Sequence, residues 1–288
     1  MFKRGCLGLV LAALLIAIGF SGFAWIQAKR TPSGKPVYVA LGSSFAAGAG
    51  LGPLQSGSPL LCARSTNGYP KQLARMRGLP LADMSCGGAV ARNLLHGGQF
   101  FQGPQVRVIG RETRLVTITI GGNDVGYVGD LQMLAARRSD TLLGWLVRQL
   151  WNGPAKSGER DFATLNSELL DTIRTIHALA PKATIVVATY PAILPPSGTC
   201  PQLNLSAAEV KQMRKVGDQL ADTSRAAAKA GGAMLVDMHR LGAAHNACSA
   251  EPWTNGATAL LKAPFHPTLA GAKAAADAIS QALDHQQL

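Results

Sequence analysis

Four short segments hold residue types that chemistry uses, each next to glycine or proline. Gly42-Ser43-Ser44 follows an apolar, β-rich run at residues 37–41. A serine on a strand-to-helix turn lifts its hydroxyl above the sheet, and the helix N-terminus beneath it favours negative charge. Taken alone, either serine serves equally well as a helix cap. Gly121-Gly-Asn-Asp124 ends the strongest β-run, residues 115–120. Its glycines allow close backbone approach to a ligand and the Asn123 amide offers two donors, although Asn and Asp are ordinary turn residues too. Cys86-Gly-Gly-Ala89 follows another short run and can present a free N–H at Gly88. His266 stands between Phe265 and Pro267 on a rigid turn before the last helical segment, a setting that His96, His177, His239, His245 and His285 lack. A hydroxyl, an imidazole and amide donors are together the parts of nucleophilic acyl transfer.

Other chemistries fit less well. Gly48-Ala-Gly-Leu-Gly52 is a glycine loop after a first strand, but its spacing is not G-x-G-x-x-G, Pro53 follows, and no Walker lysine is present. The chain carries 28 basic and 16 acidic side chains, a net +12. Removing residues 1–28, and with them Lys3 and Arg4, still leaves 26 against 16. The positive charge is scattered, with no aromatic-interleaved basic run or zinc-finger spacing, so attraction to an anionic envelope surface is a better reading than nucleic-acid binding. No metal or cofactor is called for.

Positioning these residues requires an alternating β/α chain. Apolar β-rich runs at residues 37–41, 81–85, 115–120, 183–189 and 234–237 are each ended by Gly, Pro or a polar residue. Between them, residues 69–77, 161–180 and 205–230 repeat apolar positions at helical spacing, and residues 268–283 form a last helix. This order predicts a three-layer α/β/α fold around a parallel sheet of about five strands, with ligands beyond the carboxyl ends of the strands. Residues 130–151 stand apart, because Leu142, Leu143, Trp145, Leu146, Leu150 and Trp151 crowd a basic stretch. Packing against the core is the expectation there, with a lid or acyl-chain surface as the alternative.

The N-terminus reads differently. Lys3 and Arg4 precede 24 uncharged residues, 5–28. That is the pattern of a signal peptide or of an uncleaved membrane anchor. Residues 29–36 then form a polar linker to a single domain, 37–288. Export makes the cysteines informative. Cys6 lies in the leader; Cys62, Cys86, Cys200 and Cys248 form an even set in an oxidising compartment. Three pairings are open to them, local order favours Cys62–Cys86 and Cys200–Cys248, and no CxxC or HxxxH spacing supports zinc.

Together the four segments resemble the SGNH hydrolase (GDSL-type esterase and lipase) superfamily, whose sequence blocks carry Ser, Gly, Asn and His in that order. They match Ser44, Gly88, Asn123 and His266, and the cysteines resemble its disulfide-bearing secreted branch. The resemblance implies an exported serine esterase in which Ser44 is the nucleophile and His266 the base. The Ser44 and Gly88 N–H groups and the Asn123 amide would form the oxyanion hole. The family's Gly-Asp-Ser-Leu is Gly42-Ser-Ser-Phe45 here, and its aspartate three residues before the histidine is Ala263. A backbone carbonyl at Ala263, or a neighbouring one up to Phe265, is therefore expected to orient the imidazole. The implied partner is a small-molecule, lipid or acylated-polysaccharide ester, acted on by a monomer, with membrane contact through residues 5–28 if they are retained. A non-catalytic envelope binding protein and an acyltransferase are the alternatives.

Overall fold

The computed structural model describes residues 2–30, 32, 34–257 and 263–285, with side chains throughout except residues 2–13 and 157. In chain order the helices are α1 (Phe2–Ala28), α2 (Ser44–Ala47), α3 (Tyr69–Arg77), α4 (Arg92–His96) and α5 (Tyr127–Arg137). They continue as α6 (Leu142–Leu150), α7 (Phe162–Leu179), α8 (Ala207–Gly231), α9 (Met238–Leu241) and α10 (Leu269–Asp284). The strands are β1 (Tyr38–Gly42), β2 (Leu81–Asp83), β3 (Leu115–Thr119), β4 (Thr184–Ala188) and β5 (Met234–Val236).

All five strands are parallel, in the order β2-β1-β3-β4-β5. β1 and β3 are buried at every residue; β1 accordingly reads as an unbroken apolar run, while in β3 the buried hydroxyls of Thr117 and Thr119 are hydrogen-bonded to Tyr38 and Tyr69. One face is covered by α3 and α10, where Tyr38, Ala40, Leu73, Ile279 and Leu283 pack together. The other is covered by α7 and α8, through Val39, Leu41, Ile118, Leu165, Leu169 and Leu220. Local chemistry sets the helix ends. Ser206 and Glu209 close a capping box at the start of α8, and Asp161 and Thr268 cap α7 and α10.

Strand order places the carboxyl ends of β1, β2 and β3 side by side, so residues after those strands share one edge of the sheet. The structure joins Cys62 to Cys86 and Cys200 to Cys248.

Two expectations are corrected. Residues 142–150 form a helix that turns its large side chains to solvent: Leu142, Leu143, Trp145, Leu146 and Leu150 are exposed and only Gly144 and Val147 are buried, while Trp151 just beyond the helix packs against the core as expected. The anchor reading of residues 5–28 gains no support, since among the described residues no helix is long and apolar enough to cross a membrane. The last turns of α1 rest on the domain instead, where Ala24 and Gln27 are buried and Gln27 Oε1 accepts the Leu60 N–H at 3.3 Å. The linker expected over 29–36 falls partly outside the described residues.

Candidate active site

Gly42 ends β1 at φ +145, where an added Cβ would stand 2.2 Å from the Thr119 carbonyl oxygen. No side chain fits there, so the turn that carries the serines depends on glycine. Gln105 grips the same residue twice, accepting its N–H at 2.8 Å and donating to its carbonyl at 3.0 Å. Beyond it the two serines part. Ser43 is fully buried with its hydroxyl 2.6 Å from the Tyr190 hydroxyl. Ser44, the first residue of α2, has its hydroxyl 2.8 Å from His266 Nε2.

The imidazole is fixed from both sides. Nδ1 lies 2.8 Å from the Pro264 carbonyl. A carbonyl can only accept, so Nδ1 carries the hydrogen and Nε2 is left as the acceptor facing Ser44. The orienting group is thus Pro264 C=O and not Ala263 C=O. The Ala263 carbonyl is engaged elsewhere, accepting the His266 N–H at 3.3 Å and the Asn255 amide at 3.4 Å. Phe265, at φ +58, reverses the chain so that the carbonyl just before it faces the ring. Gln132 of α5 donates a second hydrogen bond to Pro264 C=O at 3.1 Å. Phe45 stacks on the imidazole with centroids 5.5 Å apart. Burial, the larger influence, lowers the His266 pKa below its usual 6.5, and the Pro264 hydrogen bond offsets this in part. Among the described residues, no carboxylate bonds to the ring.

Asn123 and Gly88 come together from the two strands that flank β1, following β3 and β2 respectively. The Asn123 amide donates to the Ala89 carbonyl at 2.8 Å, holding the amide beside the Gly87–Gly88 turn with its second hydrogen to spare. Gly88 adopts φ +75 and is exposed. Among the described residues, no acceptor is paired with the N–H of Gly88 or of Ser44. Three devices brace this turn. The Cys62–Cys86 disulfide precedes it, Gly87 N–H donates to Cys62 C=O at 2.9 Å, and the Gln99 amide donates to Gly87 C=O at 2.6 Å. Asp124 accepts the Ala91 N–H at 2.8 Å, and burial raises its pKa to about 6.

Gln99, Gln105, Gln132, Asn255 and Tyr190 escaped sequence reading. The amides act on main-chain atoms anywhere from 8 to 132 residues away, which leaves no common spacing to detect. Tyr190 alone had a signal, because it follows β4 at the carboxyl edge.

A three-layer α/β fold that gathers a serine, an imidazole and an amide at the carboxyl edge of a parallel sheet has the architecture of an SGNH hydrolase. The chain belongs to the GDSL-like lipase/acylhydrolase family, whose pattern matches residues 40–274. It is 32% identical over 248 residues to a Streptomyces coelicolor protein named Lipase 2, covering 83% of each chain. Among solved structures it is similar to the extracellular lipase of Streptomyces rimosus, with TM-score 0.69 and 27% identity over 85% of this chain and 98% of that one. It is similar also to phospholipase A1 of Streptomyces albidoflavus, with TM-score 0.69 and 26% identity over 86% and 99%. The protein is therefore an ester hydrolase of the lipase–esterase kind.

Proposed function

We propose that the protein hydrolyses carboxylic esters through an acyl-enzyme on Ser44, with His266 as the base and no carboxylate partner. One observation carries this reading: the continuous path from Pro264 C=O through the imidazole to the Ser44 hydroxyl, with 2.8 Å at each end. His266 Nε2 accepts the Ser44 proton as Oγ bonds to the acyl carbon. The carbonyl oxygen becomes an oxyanion facing the Ser44 and Gly88 N–H groups and the spare Asn123 hydrogen. Collapse of that intermediate breaks the ester C–O bond, and the alcohol leaves with the proton from His266. Water then attacks the acyl-enzyme, losing a proton to His266; the acyl–Oγ bond breaks, Oγ takes that proton back, and the carboxylic acid is released with Ser44 restored.

Donors already aimed at the oxyanion contribute to the transition state without reorganising, which is why the braces around Gly88 matter. The lipase and phospholipase relatives favour lipid esters as the substrate class. Export fits the two disulfides and the likeness to an extracellular lipase. Residues 1–28 serve as its leader and residues 37–288 as the hydrolase domain. The test is turnover of p-nitrophenyl esters of increasing chain length, with Ser44→Ala as the control. Hydrolysis by the protein and none by the variant is expected; equal rates in both would refute the reading.

A further inference from the structure

α6 is a nine-residue helix turned inside out. Helices of soluble proteins direct their apolar stripe inward. Here five of the six large apolar side chains face solvent, with exposures of 73% at Leu142, 60% at Leu143, 52% at Trp145, 37% at Leu146 and 77% at Leu150. At 100° per residue these five span an arc of about 160°, interrupted only by Gln149. Gly144 and Val147 occupy the opposite side and hold the helix to α5. An added Cβ on Gly144 would meet the Ser139 carbonyl at 2.1 Å, so the close seat of α6 is built in. The resulting face is the convex outer side of a single helix, and residues 142–150 line none of the main cavities among the described residues.

Charge accompanies the apolar arc. Arg137 and Arg138 stand exposed at the end of α5, Arg148 lies at the edge of the arc, and Lys156 follows, against the single acid Asp140 in residues 137–156. Arg148 donates to the carbonyls of Arg137 and Ser139, fixing α6 across the end of α5, and Arg138 pairs with Glu209 at 3.0 Å.

Topology places this face at the site-bearing end of the molecule. α5 begins directly after the Gly121–Asp124 turn at the carboxyl end of β3. α7 runs back down to the start of β4, so its first residue also lies at the carboxyl end. Arg160 ties the two stems together, donating to Val125 C=O, to the Asp130 carboxylate at 2.6 Å and to Ala155 C=O at 2.8 Å.

From this geometry we infer that α6 and its flanking arginines form a docking surface for an anionic lipid bilayer, on which the active-site end of the molecule settles. A convex apolar arc with an aromatic ring and a basic border suits the headgroup–acyl boundary of a membrane carrying negative lipids. A second copy of the chain would bring its own arginines against these. The inference rests on the ester-hydrolase reading only for its purpose, which is to bring lipid esters to the site.

The test keeps the two apart. In a full-length Ser44→Ala, Cys6→Ser background, Leu143→Cys is labelled with an environment-sensitive fluorophore, and Lys182→Cys, an exposed position at the opposite end of the sheet, serves as reference. Vesicles of phosphatidylcholine with about a third phosphatidylglycerol should raise and blue-shift emission at position 143 several-fold, with little change at 182. Pure phosphatidylcholine should give much less. Because the probe sits on α6, contact of α1 with lipid does not produce this pattern. Arg137→Glu should weaken the response about fivefold or more. In the active protein, Trp145→Ser with Leu150→Ser should leave turnover of a soluble ester unchanged while slowing hydrolysis of vesicle-borne esters at least tenfold. The proposal is overturned by an unchanged signal at 143, by equal signals at 143 and 182, or by equal responses to neutral and anionic vesicles. A signal that rises with protein concentration without lipid also overturns it, in favour of self-association.

Discussion

Replacing Asn123 by alanine separates a role in the transition state from a role in folding. The side chain donates one hydrogen to Ala89 C=O at 2.8 Å and keeps one for substrate. As one of three proposed oxyanion donors, its loss should lower kcat by about 10²–10³, or about 2.7–4 kcal/mol of transition-state stabilisation. KM should barely move, because a neutral carbonyl gains much less from the donor than the oxyanion does. Losing the tether to Ala89 removes one hydrogen bond, a net effect of about 1 kcal/mol. For a domain of this size that lowers Tm by about 2–4 °C, far too little to account for the rate. Asn123→Asp keeps the shape but turns the donor into a negative acceptor, so its kcat should fall at least as far. Steady-state kinetics on a soluble ester, with melting curves for each variant, provide the check. A kcat within twofold of the parent would reduce the Gly121–Asp124 segment to a turn, and so would a loss confined to KM.

Three further outcomes follow from the same geometry. Since burial holds the His266 pKa below 6.5, kcat/KM should stay high as pH falls to 6.5 and decline only below it, when His266 is protonated; an acid limb above pH 7 would point to a carboxylate partner. The same depression makes the stability contribution of His266 complete above 6.5 and lost as pH falls through the lower folded value. Asp124 has the opposite sign: with a folded pKa of about 6 against 3.8, it costs stability as pH rises through that window. Asp124→Asn, which can still accept the Ala91 N–H, should therefore gain in Tm relative to the parent between about pH 4 and pH 7, and parallel curves would contradict this. Replacing Cys62 and Cys86 together by alanine should cost about 3 kcal/mol of stability and also lower kcat, because the bridge braces the Gly88 turn. The corresponding change at Cys200 and Cys248 should lower stability alone, as read by melting curves and kinetics side by side.

The parts of the site legible in the sequence were those that end a strand. Ser44, Gly88 and Asn123 each lie just after a β-run and beside glycine, and the wholly buried strands announce themselves through dense β-branched and apolar residues. Strand and helix ends still moved by one or two residues, as with Thr184–Ala188 inside the expected 183–189. The identity of the orienting carbonyl depended on the positive φ of Phe265, a residue type that gives no warning of such a backbone. The outward direction of α6 is hidden from the sequence for a related reason. Leucine and tryptophan at helical spacing show that a stripe exists but not which way it points. Direction was set by Gly144, whose missing side chain lets that face approach α5.

On the proposed mechanism Ser44, and not its neighbour, is the group that His266 activates. Ser43 is sealed against Tyr190 with no exposed surface, whereas Ser44 shares its hydroxyl with Nε2 at 2.8 Å. Reaction with a fluorophosphonate followed by peptide mass spectrometry tests this directly. The predicted result is one adduct on Ser44, lost in Ser44→Ala and in His266→Ala but retained in Ser43→Ala. An adduct on Ser43, or labelling at full rate without His266, would contradict it.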